Sequence, residues 1–86
     1  MQITVKTFAQ TREISKTPSL SIDVVVDSGT EATISHVIAQ LKALDSNWAL
    51  ALEGSILTAK NQQLCDSTTA LSPGDEVAFF PPVTGG

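Results

Sequence analysis

The residues best placed to do chemistry are the last six, Pro81-Pro82-Val83-Thr84-Gly85-Gly86. Gly85 and Gly86 carry no Cβ, so their backbone is free in φ and as slender as a chain can be. Pro81 and Pro82 stiffen the base toward an extended, polyproline-like course, because each ring fixes φ and withholds an N–H. Six residues of this kind reach roughly 20 Å at about 3.3–3.6 Å each. The expected object is a semi-rigid stalk that presents a terminal carboxylate to another protein's active site. Such a carboxylate has a pKa of about 3.3–3.7, so at neutral pH it is a resonance-stabilised anion and a poor acyl donor. It must be activated before it can carry anything. The plain alternative is a frayed end; the preceding strand, the proline pair and the stop on Gly-Gly together favour the reactive stalk.

The rest of the chain offers little chemistry of its own. Its 86 residues, 42% hydrophobic, make one domain with a modest core and no room for a sizeable active-site cavity. A net charge of −4 argues against nucleic acid or an anionic membrane as the main partner. A single cysteine excludes an internal disulfide, and no Cys/His grouping has metal-ligand spacing, so no metal is expected. Cys65 reads as a small buried hydrophobe, and His36 as a solvated helix residue. No secretory leader and no membrane-length apolar run is visible, which makes the expected location cytoplasmic.

The elements that must position the tail are legible from periodicity. Gln2 to Phe8 alternates, with Ile3, Val5 and Thr7 on one face and Gln2, Thr4, Lys6 and Phe8 on the other, so a strand is expected. Ala9 to Lys16 suits a short helical turn, and Leu20 to Val26 a second strand. Thr33 is an N-cap candidate for the main helix, whose apolar stripe is Ile34, Val37, Ile38, Leu41 and Leu44. Trp48 to Leu52 follows as a second apolar turn. Ile56 to Lys60 and Gln63 to Cys65 form a hairpin around Asn61-Gln62, and Ser72-Pro73-Gly74-Asp75 turns into a last strand, Glu76 to Phe80. This order predicts an α+β, ubiquitin-like β-grasp fold: a mixed sheet with one main helix on one face and a flexible C-terminal Gly-Gly tail. The domain would span residues 1–80 and the tail 81–86. Phe8, Leu64 and Phe80 fall on the face away from the helix, where three large apolar side chains beside a projecting tail would make a docking patch. A loop curled over them is the other reading.

The span from Gly74 to Gly86, Gly-Asp-Glu-Val-Ala-Phe-Phe-Pro-Pro-Val-Thr-Gly-Gly, resembles the C-terminal signature of the family of molybdopterin synthase small subunits. Phe8-Ala9-Gln10 with Arg12-Glu13, the Trp48-Ala49-Leu50-Ala51-Leu52-Glu53 block and Asn61-Gln62 resemble the same family in the same order. Lys60 departs from it, standing where an apolar residue is more usual. The resemblance implies that an adenylyltransferase uses MgATP to convert the Gly86 carboxylate into an acyl-adenylate, and that sulfur then replaces AMP to leave a thiocarboxylate. Docked in a large subunit, in a heterotetramer of two small and two large chains, the tail would give its sulfur to cyclic pyranopterin monophosphate. Val83, Thr84 and Gly85 would thread with Gly86 behind Pro81-Pro82. The chain would bind no cofactor itself, and catalytic side chains would belong to its partners.

Three other readings share the sequence. A sulfur carrier of another pathway, such as that of thiamine thiazole, has the same fold and Gly-Gly end; the Phe-Phe-Pro-Pro tail and the Trp48 block argue against it. A ubiquitin-like modifier would form isopeptide conjugates with target lysines. A plain interaction domain with an inert tail would tolerate loss of Gly86.

Overall fold

β1 (Gln2–Thr7) buries Ile3, Val5 and Thr7 and turns its other residues outward, as its alternation predicts. In the computed structural model, which describes residues 1–82, β1 is an inner strand, second from the edge of a five-stranded sheet. The other strands are β2 (Ser19–Asp23), β3 (Leu57–Lys60), β4 (Gln63–Cys65) and β5 (Glu76–Phe80), in the order β2-β1-β5-β3-β4. β1 and β5 pair in parallel, and every other pairing is antiparallel, so the sheet is mixed. The expectations for Val83, Thr84, Gly85 and Gly86 lie outside the described residues.

One face of the sheet is closed by α2 (Ile34–Leu44), whose Ile34, Val37 and Leu41 are buried. They pack with Ile3, Val5, Val77, Phe79 and Trp48 into one core. Two shorter helices complete it: α1 (Ala9–Ser15) and α3 (Ser46–Ala51), which pack on each other, with α2 against α3. Asp45 caps α3 by accepting from the Trp48 N–H at 3.0 Å, which seats the Trp48 ring 1% exposed at the edge of the core.

Three expectations need correction. The second strand stops at Asp23 rather than Val26, because β1 has no residue left to pair beyond Met1, whose carbonyl takes the Val24 N–H at 2.7 Å. Val24 and Val26 still pack on the core, but Val25 is exposed. Leu44, placed in the apolar stripe, is 58% exposed: it is the last residue of α2, and the turn into α3 gives its place in the core to Trp48. His36 is not merely solvated. Its Nδ1 accepts from the Thr33 N–H at 3.1 Å, so it closes the N-terminus of α2. Gln40 of the same helix donates from Nε2 to the Asp23 carbonyl at 2.7 Å and ties α2 to the end of β2.

The hairpin behind β5 is fixed by polar contacts. Asn61 and Gln62 both take positive φ (50° and 72°), the two-residue turn that matches strand twist. Asp75 accepts from the Ser72 N–H at 2.8 Å and from Asn61 Nδ2 at 3.0 Å, while Asn61 Oδ1 accepts from the Glu76 N–H at 3.0 Å. The Ser72 amide foremost, with help from Asn61 and the Lys60 ammonium, holds the Asp75 carboxyl below its ordinary value. Lys60, the departure from the family pattern, spends its own ammonium on the Ala70 carbonyl at 3.0 Å. A depressed folded pKa means the carboxylate's stabilisation is complete above the unfolded value of about 3.9 and is lost as pH falls through the folded value. Asp75→Asn is therefore expected to flatten the acid limb of a stability-versus-pH curve. An unchanged acid limb would show that this carboxylate contributes nothing there.

Candidate functional site

The outer face of the sheet, opposite α2, is built from small residues ringed by large ones. Pairing sets Lys6 of β1, Ala78 of β5, Ala59 of β3 and Leu64 of β4 in one row across the strands. Ala59 and Ala78 are nearly buried and keep the floor low. Because β1 and β5 run in parallel from Lys6 and Ala78, Phe8 comes level with Phe80, and the Phe8 N–H donates to the Phe79 carbonyl at 3.2 Å. Phe8 is 49% and Leu64 71% exposed, so no loop among the described residues covers them.

The result is a groove of about 730 Å³ in which Phe8, Leu64 and Phe80 all take part, as the alternation predicts. Pro81 and Pro82 are among its lining residues, so the root of the tail borders the groove. An exposed apolar surface of this kind beside an exit point is a place where a partner gains burial.

Sequence reasoning missed several members. Ala59 and Ala78 carry no individual signal; only their cross-strand pairing shows that they make a floor. Ala9 lines the groove in a left-handed conformation (φ 52°), which turns the chain from β1 into α1 and leaves Phe8 facing outward. Lys6 and Glu76 add a polar rim: Lys6 Nζ lies 3.0 Å from Glu76 Oε1, a partly exposed pair worth about 0–1 kcal/mol.

Among the described residues no group of three or more His, Cys, Asp or Glu side chains could hold a metal ion. Cys65 is half-buried and packs against the core. No described helix is long and apolar enough to cross a membrane. What the geometry offers is an open apolar groove bordered by Pro81 and Pro82.

Comparison with known proteins agrees with that geometry. The model of the ThiS family matches residues 5–86. A molybdopterin synthase sulfur carrier subunit from Escherichia coli is 49% identical over 81 residues, covering 92% of this chain and 93% of the relative. The protein of the same name from Haemophilus influenzae is 45% identical over 80 residues, again covering 92% of this chain and 93% of the relative. Among solved structures, SAMP1 from Haloferax volcanii superposes with a TM-score of 0.80 at 26% identity over the whole of both chains.

Proposed function

This chain belongs to the ThiS family, and we propose that within it the chain is the sulfur carrier subunit of molybdopterin synthase, a co-substrate rather than a catalyst. The observation that carries the reading is the groove of Phe8, Leu64 and Phe80 bordered by Pro81-Pro82, in a chain 49% identical to a carrier of that name. The partner is the large subunit of the synthase, two of each chain forming the complex. The Gly86 carboxylate attacks the α-phosphate of MgATP in a separate adenylyltransferase, pyrophosphate leaves, and an acyl-adenylate remains. A sulfur nucleophile then displaces AMP to give the thiocarboxylate. In the large subunit that sulfur passes to cyclic pyranopterin monophosphate. Val83, Thr84, Gly85 and Gly86 thread the channel while the groove holds the body of the domain. The setting is the cytoplasm, and the nucleotide, magnesium ion and pterin are held by the partners.

The groove's part can be measured separately from the tail's. Burying a large apolar side chain contributes about 1.5–3 kcal/mol, so Phe80→Ala is expected to weaken large-subunit binding by roughly ten- to a hundredfold. Phe80 is half-buried in the free chain, so some loss of stability accompanies the change. That loss should be smaller than for Leu41→Ala, which opens a cavity in the core at about 2–5 kcal/mol. Calorimetric titration beside thermal melts decides it. If Phe80→Ala melts as low as Leu41→Ala and binds like wild type, the groove is structure and not interface.

A further inference from the structure

We propose that a second cleft, on the far side of the tail root, is a socket for a basic side chain of the large subunit; this rests on the functional reading above. The cleft, about 230 Å³, lies between α1 and α3 and shares Pro81 and Pro82 with the groove. A partner that covers Phe80 and follows the proline pair outward therefore passes the cleft's mouth. Ile14, Leu50 and Ile56 line it, and Leu50 is 58% exposed. These are walls suited to the aliphatic stem of Lys or Arg.

Two polar groups say what the head of that side chain should be. Thr11 lines the cleft and is 2% exposed, yet its Oγ1 has no hydrogen-bond partner among the described residues. A buried hydroxyl is seldom left unpaired without a reason. Glu53, also on the cleft, enters no ion pair among the described residues. A cation between them gains a carboxylate and a hydroxyl acceptor together, a pairing favoured by the chain's net charge of −4. The socket would set the rotation of the domain about the tail, adding a directed charged contact to the groove's apolar patch and its Lys6–Glu76 rim.

The test titrates the full chain into purified large subunit at low and raised salt, with wild type, Phe80→Ala, Thr11→Val and Glu53→Gln. Thr11→Val keeps the shape and removes the unpaired hydroxyl, so its melting temperature should be equal to wild type or higher while binding weakens about fivefold. Glu53→Gln should weaken binding by a similar factor and make it less sensitive to salt. Wild-type affinity for Thr11→Val, with Phe80→Ala weakened as expected, overturns the socket alone. No binding by the wild-type chain overturns the socket and the functional reading together.

Discussion

Removing Gly86 is expected to abolish activation by the cognate adenylyltransferase while leaving the fold as it is. The reasoning is chemical. An acyl-adenylate forms only on a carboxylate that reaches the α-phosphate, and the truncated chain would present its new carboxylate one residue short. That is a deficit of about 3.3–3.6 Å along an extended chain, far beyond the roughly 1 Å misplacement that already costs about a hundredfold. The fold should not notice, because the described core runs from Ile3 to Phe79 and ends before the tail. ATP–pyrophosphate exchange measures activation directly, and a melting curve checks the fold. Exchange at the wild-type rate with the truncated chain would remove Gly86 from the mechanism.

Gly85→Val should be nearly as severe, for a different reason. It keeps the length of the stalk and the terminal carboxylate, but adds a β-branched side chain to a segment that has to pass a narrow channel. It also removes the freedom in φ that glycine gives. Sulfur transfer is expected to fall by about a hundredfold or more, while large-subunit binding through Phe8, Leu64 and Phe80 changes little. Measuring affinity and transfer on the same preparation separates threading from docking. If both stay at wild-type values, the channel is wider than this account requires.

Both predictions concern residues whose role was read from the sequence, and the rest of the chain shows why that was possible. The outward placement of Phe8 was legible because strand alternation is strict: once Ile3, Val5 and Thr7 face inward, Phe8 has to face out with Lys6. Parallel pairing of the first and last strands then brings Phe8 to Phe80. The main helix was legible from its stripe and so was its end at Asp45, but the burial of its last residue was not. Leu44 fits the helical period and is nonetheless exposed, since the decision belongs to Trp48, which is delivered by the Asp45 cap. The end of β2 depended on where β1 begins, a tertiary fact with no local signal. Ala59 and Ala78 escaped notice for a similar reason, because a small residue reads as neutral until pairing sets it beside another. His36 had a local signal that was passed over. It stands three residues after Thr33, the spacing at which a side chain can return to the N-cap amide.

The most direct test of the carrier reading is an assay of molybdopterin formation from cyclic pyranopterin monophosphate with the thiocarboxylated chain, run with and without the large subunit. The account predicts no product from the chain alone. With the large subunit present, product should rise in proportion to the thiocarboxylate supplied and stop when it is consumed. Repeated turnover by the isolated chain, or product that continues after the thiocarboxylate is spent with no sulfur source added, would contradict it.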